Sequence, residues 1–260
     1  MKRTIERAKI PLLFAAIVIV FLTLFIYRGN DSNSQAKGDR FYGGVFSYSL
    51  PESLISLFPL ETNSLSELRI ISQLFDPLVK QSDSKGTIQN YLAKDIRISN
   101  NGKLVTIKLK QGVLFQEDDC FTKGSSRELT AEDVAFTFSF ACSNIPLNQS
   151  GSLLMGKIQG SESFFNKGLL PEKSTVTGIR VINDYELEIH LTQPYNNFKQ
   201  LLTHPSLGIL SKSSWIYYGK ELRNHPVGSG PFYLRSNSSS EIELLKNKDY
   251  WMHDEFGNQL

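Results

Sequence analysis

Residues 96–115 of the chain read IRISNNGKLVTIKLKQGVLF. From residue 105 to residue 110 apolar and polar side chains alternate, a period of two that is typical of a strand with one buried face. Asn101 and Gly102 come shortly before this run, and both residue types tolerate the positive φ angles of a tight hairpin turn. The segment therefore predicts an antiparallel hairpin rather than a helix.

Three further strand regions are predicted. Apolar residues alternate through residues 179–191 on both sides of an Asn-Asp pair, which favours a second hairpin. Residues 232–234 are expected to pair with residues 242–244 across a serine-rich loop, forming a third hairpin. A first strand is predicted over residues 41–50, which begin with aromatic and β-branched side chains after a polar linker.

Helices are predicted between these strands. Ser64 and Glu67 have the spacing of a capping box, in which the serine oxygen accepts from one amide and the carboxylate accepts from the other. A second helix is expected to begin after Thr130 and to be largely buried, because it is rich in phenylalanine. One apolar face of the first helix is expected to contain Leu65, Leu68, Ile71, Leu74 and Phe75. Helices and strands thus follow one another without a repeat of fixed length, which indicates an α/β or α+β fold.

The composition is that of an ordinary globular protein with little excess charge. The 260 residues include 28 basic and 26 acidic side chains and two cysteines. Five of the bases and one of the acids lie in the first thirty residues, so the remaining chain has 23 bases against 25 acids. This balance argues against nucleic acid as a partner. Two cysteines are too few for a zinc ribbon or a disulfide-dense module.

An apolar segment near the N-terminus indicates export from the cytoplasm. Residues 10–27 read IPLLFAAIVIVFLTLFIY, and a helix of this length spans roughly 27 Å, which suffices for a membrane core. Basic residues precede it, a distribution that keeps the N-terminus in the cytoplasm. Residues 1–28 are therefore expected to be a retained anchor in the cytoplasmic membrane or a cleaved signal segment, followed by a flexible linker over residues 29–39. Both alternatives remain open at this point.

The sequence contains no recognisable catalytic or metal-binding pattern. The four histidines lack the spacing of metal ligands, and Ser229 lacks the glycine that a nucleophile elbow needs two positions before its serine. Residues 117–119 are acidic and could bind a cation or form a solvated loop. The sequence contains no phosphate-binding loop and no dinucleotide fingerprint. We therefore expect a protein that is not an enzyme and that has no cofactor.

Cys120 and Cys142 are the only cysteines of the chain. An extracytoplasmic location would allow them to form a disulfide. Otherwise both are expected to be inert thiols. The residues alone leave this alternative open.

Several segments resemble one family, in the order in which that family has them. The chain is similar to the solute-binding proteins of ABC transporters that take up oligopeptides, dipeptides or nickel, and the similarity runs from residue 43 to residue 251. Departures include the enlarged turn at residues 116–120 and the absence of a cysteine for lipid attachment. The blocks that carry the resemblance are GGV at residues 43–45, ISQLFDPLV at 71–79, YLA at 91–93, KLKQGVLF at 108–115, LTAEDV at 129–134, PVGSGPF at 226–232 and KDYW at 248–251.

The resemblance implies an α/β fold, namely a lobe like those of class II periplasmic binding proteins. Residues 40–78 and 178–260 are expected to form the N-terminal lobe, and residues 79–177 an inserted α+β subdomain. Residues 257–260 resemble the start of a turn that continues in the family, so we expect a truncated chain whose second lobe is missing.

The resemblance also implies a function outside the cytoplasm, in the periplasm or at the cell surface. We expect a monomer that captures oligopeptides and delivers them to the permease subunits of an ABC importer. A sensor or interaction module with the same binding fold is one alternative, and an anchored envelope hydrolase is another. The ligand is expected to contact Tyr48, Ser49, Leu50, Glu52, Ser229, Gly230 and Phe232.

Overall fold

The computed structural model describes residues 34–260 apart from residues 40, 53, 63, 83–85, 100, 122–125 and 239. The apolar segment at residues 10–27 lies outside this range, so its assignment as an anchor or a signal segment stays a prediction. Within the described ranges, no helix combines the length and the apolar character that a membrane crossing requires.

The chain separates into two compact units. The larger unit contains Leu50–Met252 and Gln259–Leu260, and the smaller one contains residues 34–49 of the described range together with His253–Asn258. In the smaller unit the short strands β1 (Ser34–Gln35) and β2 (Phe41–Tyr42) pair in antiparallel fashion.

The larger unit mixes helices and antiparallel strands. Its described helices are α1 (Leu65–Leu74), α2 (Ala131–Ala141), α3 (Ser161–Asn166), α4 (Phe198–Leu201) and α5 (Lys212–Tyr218). Its described strands are β3 (Val79–Gln81), β4 (Ile88–Asn90), β5 (Ala93–Ser99), β6 (Leu104–Leu109), β7 (Ile179–Asn183), β8 (Glu186–His190), β9 (Phe232–Asn237) and β10 (Ile242–Lys246).

A four-stranded sheet with the strand order β5-β6-β8-β7 lies at the centre of the larger unit. Both hairpins within it were predicted, and both are confirmed by antiparallel pairing of β5 with β6 and of β7 with β8. Asn101 and Gly102 turn the first hairpin with φ angles of 55° and 82°. The inward side chains of β6 and β8 are fully buried, among them Val105, Ile107, Leu187 and Ile189, and helix α2 packs against β7 and β8. The third predicted hairpin is also confirmed, as β9 pairs with β10.

The sheet combines strands from both sides of the boundary that we placed at residue 178. Strands β5 and β6 come from the predicted subdomain, and β7 and β8 come from the predicted lobe. The division into a lobe and an inserted subdomain stays a prediction.

Helix α1 begins with the predicted capping box. The Glu67 amide donates to Ser64 Oγ at 3.2 Å, and the Ser64 amide donates to Glu67 Oε2 at 3.2 Å. Glu67 Oε1 also accepts from the amides of Ile55 and Ser56 at 2.9 Å and 3.1 Å. The Glu67 carboxylate therefore turns inward and connects the helix to the preceding segment.

One residue of the predicted apolar face of α1 is on the wrong side. Leu65 is 72% exposed, whereas Ile71 and Leu74 are fully buried as expected. At about 100° per residue, positions two apart on a helix point in nearly opposite directions. Because Glu67 turns inward to reach the backbone amides, Leu65 turns outward.

Replacing Ser64 by alanine should lower the free energy of unfolding by about 1 kcal/mol, because the Glu67 amide loses its acceptor at the helix N-terminus. Urea denaturation followed by circular dichroism measures this change. Ser72→Ala, on the partly exposed last turns of the same helix, serves as the control and should change stability by less than about 0.5 kcal/mol. Equal effects of the two substitutions would contradict the cap.

Helix α2 is buried on nearly every side, as predicted. The Asp133 carboxylate accepts from the Thr130 amide at 3.0 Å and from the Lys212 amide at 3.0 Å. Thr137 Oγ1 accepts from the Leu210 amide at 2.9 Å. The polar groups of this buried helix thus hold the segment that leads into α5.

The first predicted strand is shorter than expected. We predicted a strand over residues 41–50, but the pairing ends at Tyr42. Gly43 and Gly44 have φ angles of 124° and 86°, which are outside the range of an extended strand. The glycine pair therefore ends the strand, and the rest of the prediction was wrong.

Candidate functional site

Residues 226–232, which contain three of the expected ligand-binding residues, lie against the C-terminal end of α1. The Gly230 amide donates to the Leu74 carbonyl at 3.0 Å. The Gly230 carbonyl accepts from Asn247 Nδ2 at 3.0 Å, and the Pro231 carbonyl accepts from the Asn247 amide at 2.8 Å. The segment is thereby fixed between α1 and the residues that follow β10.

The two glycines of this segment are required by packing. A Cβ atom at Gly228 would lie 1.9 Å from the Leu74 carbonyl oxygen, and one at Gly230 would lie 2.4 Å from the Gln73 carbonyl oxygen. Both backbone groups of Gly230 already have partners within the protein. Close approach to helix α1 therefore accounts for the glycines, and a ligand contact at Gly230 stays a prediction.

Ser229 and Phe232 differ in what they can offer to a ligand. Ser229 is fully buried, and its hydroxyl has no hydrogen-bond partner among the described residues. Phe232 is 36% exposed and begins strand β9. In the described part of the chain β9 pairs with β10 alone, so this ribbon has edges with open backbone groups. Phe232 and its strand are the more accessible part of the segment.

The remaining expected contacts are divided between the two units. Leu50 is half-buried against the core of the larger unit, and Glu52 is exposed on the same unit. Tyr48 and Ser49 belong to the smaller unit and are both exposed. The ring of Tyr48 lies 5.8 Å from that of Phe46. A ligand role for these four residues stays a prediction.

The enlarged turn after Phe115 supports residues 225–228, a role that we did not predict. The Gln116 amide donates to the Gly228 carbonyl at 2.8 Å, and Gln116 Nε2 donates to the Pro226 carbonyl at 3.1 Å. Asp118 Oδ2 lies 2.7 Å from His225 Nε2. The enlargement of this turn relative to the family pattern was the feature of the sequence that could have indicated its structural role.

Several groups of the protein hold the Asp118 side chain. Its side chain is only 6% exposed, and Oδ1 accepts from the Cys120 amide at 2.9 Å. Although burial raises the pKa of Asp118, hydrogen bonds from Cys120 and His225 lower it below its usual value overall. Within the described ranges, no group of three or more His, Cys, Asp or Glu side chains is arranged to hold a metal ion.

Both cysteines are free and buried in the structure. Burial raises the pKa of the Cys142 thiol to about 12, and burial together with the neighbouring Asp118 raises that of Cys120. Both groups have the character of inert thiols in this structure, and the candidate disulfide between Cys120 and Cys142 stays a prediction.

The thiols should resist modification in the folded protein. We expect Ellman's reagent to react with them at least about tenfold more slowly than with free cysteine, because neither thiol ionises readily. After unfolding without reductant, two thiols per chain should react. If the unfolded chain has no reactive thiol, the two cysteines are paired.

A second polar cluster, which we did not predict from the sequence, surrounds Asp76. This residue is fully buried, and burial raises its pKa to about 6. Asp76 lies in the block of residues 71–79 that carries the family resemblance, and no role was predicted for it. A charged residue between Phe75 and an apolar run was the available signal, since buried charges need partners.

Known proteins share the sequence pattern and the fold of this chain. A family model described as bacterial extracellular solute-binding proteins, family 5, middle, matches residues 87–259. The glutathione-binding protein GsiB of Shigella flexneri is 24% identical over 232 residues, which make up 89% of this chain and 33% of that protein. The chain spans about a third of the length of the curated relatives it matches.

Solved structures show the same architecture. OppA of Haemophilus influenzae, in complex with the peptide RPPGFSPFR, aligns with a TM-score of 0.64 and 23% identity over 76% of this chain and 37% of its own. DppA of Helicobacter pylori, in complex with the peptide STSA, aligns with a TM-score of 0.60 and 26% identity over 78% of this chain and 39% of its own. These alignments confirm the predicted mixed α/β fold of a periplasmic binding protein. The matched proteins are named for binding, in agreement with the expectation that the chain is not an enzyme.

Proposed function

The chain belongs to family 5 of the bacterial extracellular solute-binding proteins, and we propose that it contributes to the capture of short peptides outside the cytoplasm for an ABC importer. The family match over residues 87–259 carries the proposal, because it includes the central sheet and the segment before Phe232. The names of the relatives support peptides as the ligand class, since glutathione, RPPGFSPFR and STSA are all peptides.

The strand ribbon β9–β10 supports the same ligand class. A peptide in extended conformation can add its backbone to an open strand edge, which gives affinity with little dependence on side chains. Phe232 is exposed at the start of this ribbon and can contact an apolar ligand side chain. We propose Tyr48, Ser49, Leu50, Glu52, Ser229 and Gly230 as further residues of the ligand-binding region.

Binding of defined peptides tests this proposal. Isothermal titration of the complete protein with glutathione, Ser-Thr-Ser-Ala and Arg-Pro-Pro-Gly-Phe-Ser-Pro-Phe-Arg should show binding of at least one, whereas maltose should not bind. Phe232→Ala should weaken peptide binding by about tenfold, the effect of losing roughly one apolar contact. Tyr217→Ala, at an exposed aromatic residue of α5, should leave peptide binding unchanged. Binding of a sugar or a metal chelate without any peptide would overturn the ligand class.

We further propose that the protein works as a monomer with permease subunits at the outer face of the cytoplasmic membrane. Residues 10–27 would hold it there or would be removed after export. Fractionation of cells that express the chain, followed by intact-mass measurement, distinguishes the two cases. An anchored protein keeps its N-terminal mass and sediments with membranes, while a processed one loses it and is released.

A further inference from the structure

The carboxylate of Asp76 connects the end of α1 to a tryptophan far along the chain. Asp76 directly precedes Pro77 and has no exposed surface. Its Oδ2 accepts from Trp251 Nε1 at 2.9 Å, and its Oδ1 accepts from Lys80 Nζ at 3.3 Å. Only the lysine of this pair reaches solvent, with 32% of its side chain exposed. The indole and the ammonium group therefore share one buried anion.

Aromatic rings and a second lysine complete the cluster. Lys80 Nζ lies 3.7 Å from the centre of the Tyr91 ring, and Lys110 Nζ lies 4.3 Å from the centre of the Trp251 ring. The Tyr91 and Trp251 rings meet edge to face at 5.1 Å, and the hydroxyls of Tyr91 and Tyr250 are hydrogen-bonded. In the described part of the chain, the ionisable groups that act on Asp76 are thus Lys80, Lys110 and Tyr250, and Tyr91 lies beside Lys80 and Tyr250.

Trp251 lies close to the point where the chain leaves the larger unit. The larger unit includes the chain through Met252, and His253 is the first residue of the smaller unit in this stretch. The Trp251 side chain is therefore among the last attachments of the larger unit before the chain leaves it. A change in the hydrogen bond of the Trp251 indole therefore changes how firmly residues 251–252 are attached to the larger unit.

We propose that Asp76 is a pH-operated clasp on Trp251. When ionised, the carboxylate holds the indole N–H by a charge-assisted hydrogen bond and attracts both ammonium groups. When a proton binds, the hydrogen bond to the indole becomes a weaker neutral one and Lys80 loses its ion pair. The clasp is independent of what the protein binds.

Because Asp76 is buried, its carboxylate takes up a proton in mildly acidic solution. Because the desolvated carboxylate is costly, burial raises the pKa of Asp76 to about 6, even though Lys80 and Lys110 act in the opposite direction. Tyr250 stays protonated there, since burial raises its pKa far above its usual value. A purely structural ion pair would stay charged throughout mildly acidic conditions.

The indole N–H resonance of Trp251 reports the state of the clasp. The chain has two tryptophans, so ¹⁵N-labelled protein should give two indole signals. Trp215 Nε1 donates to Glu172 Oε2 at 3.3 Å, so Glu172→Gln identifies the Trp215 signal. We expect the Trp251 signal to shift with pH and to have a midpoint near 6.

Three variants make the result specific. In Asp76→Asn, which keeps a hydrogen-bond acceptor but cannot titrate, the Trp251 signal should stay constant through this range. In Lys80→Gln the midpoint should rise by roughly half a pH unit or more, because the cation that favours the ionised form is lost. Lys94→Gln, at an exposed position of β5, should leave the midpoint unchanged. A Trp251 signal that does not titrate, or that titrates equally in Asp76→Asn, or a midpoint unmoved in Lys80→Gln, overturns the proposal.

Discussion

Gly228→Ala should destabilise the protein by about 3 kcal/mol or more, the upper range for overpacking a buried site. The added methyl group would lie 1.9 Å from the Leu74 carbonyl oxygen and 2.8 Å from the Leu74 carbonyl carbon. Both atoms are backbone, so no side chain can rotate away to make room. Either α1 or the segment around Gly228 must move, and the move breaks hydrogen bonds such as that between the Gly230 amide and the Leu74 carbonyl.

Ser229→Ala is the matched control for this prediction. The change is at the next residue, and it removes a buried hydroxyl that has no partner within the described residues. Loss of an unsatisfied polar group should be neutral or slightly stabilising, within about 1 kcal/mol. Urea unfolding of both variants measures the difference. A Gly228→Ala protein as stable as Ser229→Ala would show that the contact with α1 is not tight.

The free energy of unfolding should fall as pH rises from about 4 to about 6, and Asp76 should account for about 3 kcal/mol of this change. Burial raises the pKa of this carboxyl from 3.8 to about 6 in the folded protein. Between these values the folded state binds more protons than the unfolded state, so raising the pH favours unfolding. The contribution is complete below pH 4 and is lost once the pH exceeds the folded pKa.

Comparison with Asp76→Asn isolates this contribution. Burial also raises the pKa of Asp133, which acts in the same direction, and hydrogen bonds lower that of Asp118 in spite of its burial, which acts in the opposite direction. These carboxyls are present in both proteins, so they cancel in the difference between the two pH profiles. Parallel profiles from pH 4 to pH 7 would contradict the raised pKa of Asp76.

Features encoded by neighbouring residues could be predicted from the sequence. Asn101 and Gly102 predicted the β5–β6 turn because positive φ is a property of those residue types. The capping box of α1 could also be predicted, since Ser64 and Glu67 are only three positions apart. The family resemblance then supplied the fold, which local patterns alone had left as α/β or α+β.

Features that depend on distant parts of the chain could not be predicted in this way. Leu65 fits the apolar pattern of α1, but the inward turn of Glu67 toward Ile55 and Ser56 decides which face is buried. The Asp76–Trp251 hydrogen bond joins residues 175 positions apart, so neither residue indicates the other. The bracing of residues 225–228 by Gln116 likewise depends on the folded path of a loop.

The central sheet also has a consequence for how the chain folds. Strand β6 pairs with β5 across a turn of a few residues, but it pairs with β8 only after the whole of α2 and α3 has intervened. Closing the longer loop costs more chain entropy and slows folding. During synthesis the β5–β6 hairpin therefore emerges with one edge of β6 unpaired. Until residues 186–190 have been made, that edge is open to other nascent chains and is a site where aggregation can begin.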